Sequence, residues 1–165
     1  MIENPYYATC NNISSLYVAR DYLENAIILD GDQIIHNERI LTSEFCQSGY
    51  NSVWTSEETD EWLQTVKDGI VTACSRVGGK CGWQLYSISR WTAEDGRKLK
   101  KHLELEFEQR HHTQIYWDDI VMFCHPEEYQ LGIFEMQADD VIEIDSLDEL
   151  IDLDNSYECF REKEE

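Results

Sequence analysis

At 165 residues, with 42% hydrophobic and 12% aromatic side chains, the chain has the length of one domain and enough apolar surface for a core, which excludes an acidic disordered protein. Its 34 Asp and Glu against 13 Lys and Arg give a net charge of −21, which repels nucleic acid and anionic membranes and draws in cations and metal ions. We read neither a signal peptide nor a long apolar span. The six cysteines (10, 46, 74, 81, 124 and 159) include no Cys-x-x-Cys pair, so free thiols in a reducing cytoplasm are the expectation. Cys74 and Cys81 flank a Gly-Gly turn, with no second Cys/His pair at zinc-site spacing, and read as cross-strand core thiols.

In chain order, residues 1–10 are polar and turn-rich. Asn11-Asn12 then offers a cap to a helix carrying Ile13, Leu16, Tyr17, Ala19, Arg20 and Leu23. Ala26-Ile27-Ile28-Leu29 reads as a buried strand of an α/β sheet and ends in Asp30-Gly31-Asp32. Acids at the carboxyl end of such a strand lie where open α/β sheets bind ligands, and hard carboxylate oxygens beside a glycine suit Mg²⁺ bridging a nucleotide. The competing reading is an ordinary Asp-Gly turn with Asp32 capping the next element.

Residues 51–55, 62–66, 70–76 and 83–91 predict an antiparallel meander, with Lys67-Asp68-Gly69 and Gly78-Gly79 as hairpin signals. Thr92 predicts the start of a charged helix to about Arg110, with Ala93, Leu99, Leu103 and Phe107 on its apolar side and the basic run 97–101 as a solvated face. Residues 115–123 form a short aromatic segment containing Tyr116-Trp117-Asp118-Asp119. Residues 131–136 and 141–144 read as strands, and Ser146 caps a last helix through Asp148, Leu150 and Leu153. Asp145 thus also sits at a strand end, or at an ordinary helix entry. The tail 157–165 reads as frayed. No repeat or low-complexity linker divides the chain, so 1–165 is expected to be a single domain.

Five segments stand out together: residues 7–17, Leu29-Asp30-Gly31-Asp32, Thr59-Asp60-Glu61-Trp62, Tyr116-Trp117-Asp118-Asp119 and Glu143-Ile144-Asp145-Ser146. In order and spacing they resemble the bacterial CTP:phosphocholine cytidylyltransferases of the sugar-phosphate nucleotidyltransferase superfamily, over nearly the whole chain. The resemblance implies an α/β fold: a partial nucleotidyltransferase Rossmann-like mixed sheet with an antiparallel hairpin subdomain. It implies that Asp32 and Asp145 are catalytic acids holding Mg²⁺, with Asp30 as a nearby metal-site acid. It further implies that Trp62, Tyr116 and Trp117, with Glu61 and Asp118, form the substrate pocket for a quaternary ammonium head, and that phosphocholine and CTP are the small-molecule partners. Independently, a trimethylammonium group donates no hydrogen bonds and is held by aromatic faces and nearby acids, which Trp-Glu and Tyr-Trp-Asp supply.

Full-length members of the family begin with a strand and a Gly-rich loop bearing Arg and a downstream Lys. Nothing before Asn11 matches that loop. By resemblance the chain corresponds to the C-terminal portion of a nucleotidyltransferase. The expectation is a cytidylyltransferase-like domain that does not turn over CTP and phosphocholine alone. Two other readings stand beside it: a non-catalytic module binding choline or another small cation, or an acidic interaction domain; and a nucleotidyltransferase for another alcohol or sugar phosphate. A sheet edge left open is expected to be covered by dimerisation or a partner chain.

Overall fold

The computed structural model describes residues 1–161. In chain order it contains α1 (Ile13–Val18), β1 (Ala26–Ile28), β2 (Gln33–Ile35), β3 (Gly49–Thr59), β4 (Leu63–Lys67), β5 (Ile70–Ser75), β6 (Gly79–Trp91), α2 (Ala93–Leu103), β7 (Gly132–Glu135), β8 (Val141–Glu143) and α3 (Leu147–Leu153). Six strands form a mixed, mostly antiparallel sheet in the order β1-β6-β3-β7-β5-β4, in which β3 and β7 run parallel. A second sheet pairs β2 antiparallel with β8. No helix among the described residues is long and apolar enough to cross a membrane.

The long strands β3 and β6 form the spine. Alternation along β6 sends Ile88 and Arg90 to one face and Ser89 and Trp91 to the other. On the Trp91 face, Tyr50, Trp91, Trp117 and Tyr129 pack under Leu99, Leu103 and Phe107 from α2 and its extension, and under Ile13 and Leu16 from α1. On the Ile88 face a smaller cluster joins Ile40, Ile88, Met136 and Val141. Thr92 caps α2 by accepting a hydrogen bond from the Asp95 amide at 3.2 Å. The helix then widens into a π-helical turn at Glu104–Gln109, which brings Glu106 inward beside Phe107. The basic run lies on the solvent side and is neutralised by local acids: Arg97 by Glu24, Lys98 by Asp95 and Lys100 by Asp21.

The hairpin signal at Lys67-Asp68-Gly69 holds. Asp68 and Gly69 take φ of 52° and 79°, the left-handed pair that joins β4 to β5 in a tight turn. The Ser146 cap also holds, as a reciprocal capping box with Glu149.

Other expectations are corrected. Residues 26–29 do not make a buried strand. β1 is a half-buried, three-residue edge strand, antiparallel to β6, and Leu29 is exposed, because sheet neighbours cover one side only. The meander fails at Gly78-Gly79: β6 leaves β5 and pairs with β3, β4 and β1. Gly78 permits this close passage, since a Cβ there would meet the Thr59 carbonyl oxygen at 1.8 Å. Cys74 and Cys81 are therefore not cross-strand neighbours in the core, and Cys81 is exposed. All six cysteines are free thiols. Residues 155–160 form a 3₁₀ helix in place of the expected frayed tail, while 162–165 lie outside the described residues.

Candidate functional site

The β2–β8 ladder assembles the acids. Gln33 pairs with Glu143, and the Ile144 amide donates to the Asp32 carbonyl at 2.9 Å, which sets Asp32 against the end of β8. Glu143 and Asp145 occupy alternate positions of an extended segment and so project to the same side. One oxygen from each of Asp32, Glu143 and Asp145 lies within 4.8 Å of the others. All three side chains are exposed, and none enters an ion pair among the described residues. Burial, and then the charges of Asp32 and Asp145, push the Glu143 carboxyl above its ordinary range. Three hard oxygens outside any ion pair among the described residues fit a divalent metal such as Mg²⁺. Asp30 is not a member of this triad. It lines the same cleft, where burial raises its carboxyl against a hydrogen bond from Ser87.

An aromatic wall faces the acids across the cleft. The rings of Trp62 and Tyr116 meet edge to face, 5.9 Å apart at 86°. Phe123 backs Trp62 at 5.5 Å. Arg76 braces the wall from behind: its guanidinium sits 3.9 Å over Phe123 and pairs with Asp119 at 2.5 Å, and Asp119 in turn accepts from the Tyr116 amide at 2.9 Å. Glu61 lies at the exposed end of the cleft. Asp118 is buried at its inner end, where it accepts from the Tyr50 hydroxyl at 2.8 Å. Burial pushes the Asp118 carboxyl up to about 7 against that hydrogen bond, and the charge of Asp30 adds to the rise. The cleft encloses about 480 Å³ and joins Trp62, Tyr116, Glu61 and Asp118 to Asp32, Glu143 and Asp145.

Trp117 does not belong to this wall. It is 2% exposed and packs in the core, stacked on Tyr50 at 6.0 Å and edge-on to Trp91 at 6.1 Å. Successive residues at this turn point apart, so Tyr116 faces the cleft while Trp117 faces inward. The Trp117 amide donates to Asn12 Oδ1 at 2.9 Å. That bond takes the Asn12 side chain away from capping α1 and places Asn12 on the cleft wall. Glu143 is the main site residue that motif reading missed. Its signal was spacing: it stands two residues before Asp145 in a strand.

No family model matches the chain. A 2-aminoethylphosphonate cytidylyltransferase from Lancefieldella rimae is 30% identical over 159 residues, covering 95% of this chain and 64% of that protein. Choline-phosphate cytidylyltransferases from Streptococcus pneumoniae and Haemophilus influenzae are 26% and 29% identical, over 89% and 90% of this chain and 63% and 64% of theirs. Among solved structures, the CTP:phosphocholine cytidylyltransferase of S. pneumoniae superposes with a TM-score of 0.80 at 26% identity, covering 93% of this chain and 66% of that one. The inositol-1-phosphate CTP transferase from T. maritima superposes at 0.62 with 15% identity, a likeness of fold alone. The fold is thus that of the nucleotidyltransferases. Within that class the chain is a domain like the bacterial CTP:phosphocholine cytidylyltransferases, and it spans somewhat less than two thirds of the length of the protein relatives it matches.

Proposed function

We propose that this domain carries the acceptor-binding and metal-binding part of a cytidylyltransferase. It would bind a small phosphorylated cation, with phosphocholine as the first candidate, for transfer of CMP from CTP. The observation that carries this reading is one cleft that joins an aromatic wall flanked by acids to three unpaired carboxylates. In the reaction, an oxygen of the acceptor phosphate forms a bond to the α-phosphorus of CTP. The bond to the bridging oxygen breaks, and pyrophosphate leaves with that electron pair.

The residues divide the work by chemistry. Trp62 and Tyr116 offer ring faces to a cationic head, and Glu61 and ionised Asp118 add attraction. Asp32, Asp145 and Glu143 would hold Mg²⁺, and Asp30 would shape their surroundings without ligating. A bound Mg²⁺ would supply neutralisation of phosphate charge. The protein's own contribution is orientation: the head sits at the wall, which points the acceptor phosphate at the acid cluster a fixed distance away. A neutral sugar could donate hydroxyl hydrogen bonds to Glu61 and Asp118 but would gain neither charge attraction nor cation–π contact, which favours a cationic acceptor over a sugar phosphate.

The similarity to a 2-aminoethylphosphonate cytidylyltransferase supports a second acceptor, with a primary ammonium head. Such a head would donate hydrogen bonds to Asp118 and Glu61, where trimethylammonium would rely on the rings. We take the 165 residues as one domain of a cytoplasmic protein, with the edge of β1 covered by a second copy or a partner chain.

Calorimetric titration with phosphocholine, 2-aminoethylphosphonate and CTP, each with and without Mg²⁺, tests the reading, alongside a pyrophosphate-release assay. Saturable, Mg²⁺-strengthened binding of one acceptor supports it. Absence of binding by both acceptors in a folded protein contradicts it. Turnover by this chain alone would show that residues outside the acid–aromatic cleft hold the nucleotide.

A further inference from the structure

A second cleft lies at the other end of the β2–β8 ladder from the acid cluster. The two clefts share no lining residue, so they are separate. Arg90 lines this second cleft and is 2% exposed. Its Nη2 donates to the Ile40 carbonyl, and its guanidinium lies 3.9 Å over the Phe134 ring, but Nε and Nη1 have no hydrogen-bond partner. Neighbouring Asn51, 1% exposed, likewise leaves its Oδ1 unpartnered.

A buried guanidinium without a counter-ion is costly, and this chain has 34 acids from which to provide one. It does so for five of its six other arginines. Arg20, Arg76, Arg97, Arg110 and Arg161 all sit in ion pairs. Among the described residues, the two arginines outside ion pairs are Arg39 and Arg90, and both line this one cleft of about 480 Å³. Arg90 keeps its fold contacts through Nη2 and its ring-facing plane, while the charge itself and the Nε and Nη1 donors are left for a ligand.

The chemistry around Arg90 narrows the ligand. A planar guanidinium fork suits a carboxylate, and Phe134 and Ile133 offer an apolar surface beside it. Two acids also line the cleft. Asp140 is engaged, accepting from Asn37 Nδ2 and from the Gln137 amide, both at 2.8 Å, whereas Glu135 is exposed and free. With these acids and a net charge of −21, a polyanion is disfavoured. We propose that the Arg90 cleft binds a small monocarboxylate with an apolar body, at a site distinct from the acid–aromatic cleft.

The test tracks the arginine side-chain Nε–H resonances of the ¹⁵N-labelled chain by NMR during titration with butyrate and benzoate. Butanol serves as the neutral control and inorganic phosphate as the other oxyanion. The expected result is a saturable shift of one arginine resonance with the carboxylates alone, absent in Arg90→Met. Arg39→Glu, on an exposed 3₁₀ turn, should weaken carboxylate binding about tenfold, which keeps the proposal testable if Arg90→Met does not fold. A saturable response to phosphate but not to carboxylate overturns the ligand class. No saturable shift with any of these anions, an equal shift with butanol, or unchanged affinity in the folded variants overturns the site.

Discussion

Glu106 and the Asp32–Glu143–Asp145 cluster show two opposite treatments of acid in one small protein. Glu106 is fully buried and completely paired: Arg110, His112 and His125 each reach its oxygens at 2.7 Å. Burial works to raise its carboxyl, but the hydrogen bonds from His125 and His112 and the charge of Arg110 outweigh it and hold the group below its ordinary range. The cleft acids are exposed and crowded, and enter no ion pair among the described residues. Among the described residues, an arginine and two histidines are committed to Glu106, and no cation pairs with the acids of the cleft cluster. The difference teaches that the first arrangement is part of the fold, whereas the second has the form expected of the metal site proposed above.

The comparison breaks most readily at Glu106. Glu106→Ala removes a buried acceptor of three charge-assisted hydrogen bonds and should cost about 2–3 kcal/mol, measured by urea unfolding; Arg110 and His112 are half exposed and can rehydrate, which limits the loss. Because the folded carboxyl lies below its unfolded value, the stabilisation is present above the unfolded value near 4.5 and disappears as pH falls through the folded one. A loss below about 0.5 kcal/mol would place Glu106 among ordinary surface acids.

In the cleft the loss should vanish. Asp145→Asn relieves like-charge crowding, so the metal-free protein should keep its stability within about 0.5 kcal/mol. At Mg²⁺ one hundred times its dissociation constant, the parent protein should gain about 2.7 kcal/mol, and a tenfold weaker variant only about 1.4. Thermal unfolding with and without Mg²⁺ reads both numbers. Marked destabilisation of the metal-free variant would make the cluster a structural feature.

The aromatic wall sharpens the contrast further. Trp62→Ala should weaken choline binding by about 0.5–2 kcal/mol, read by calorimetry, while Trp117→Ala should instead unfold or severely destabilise the protein. This pair also measures what the sequence made legible. The motif at residues 116–119 located the wall, yet adjacent aromatics look alike in sequence, and only the turn geometry decides which ring faces the cleft. Asp30-Gly31-Asp32 similarly marked the acid cluster, although the strand before it is a half-buried edge strand antiparallel to β6. The third acid, Glu143, carried a sequence signal in its spacing from Asp145, but that it faces Asp32 depends on the β2–β8 register, a pairing between segments more than 100 residues apart. Caps and the 67–69 turn were readable because their physics is local. The departure of β6 from β5 was not, because it depends on which distant strand offers the better partner.

The smallest expected effect concerns Asp118. Its folded carboxyl stands near 7 against an ordinary 3.8, so the fold holds the proton more tightly than the unfolded chain does, and this group's contribution to stability falls as pH rises from about 4 to about 7. Cation affinity should move the other way, strengthening as pH rises through about 7 and Asp118 ionises. In Asp118→Asn this pH dependence of choline affinity should flatten.

The central claim is that the aromatic wall and the acid cluster form one site. Calorimetric titration of phosphocholine and of choline, each with and without Mg²⁺, on the parent chain and on Asp145→Asn, tests it most directly. The account predicts that Mg²⁺ tightens phosphocholine binding at least about tenfold, needs about tenfold higher concentration for that effect in Asp145→Asn, and leaves choline binding unchanged. Equal binding of phosphocholine with and without Mg²⁺ in the parent chain would contradict it.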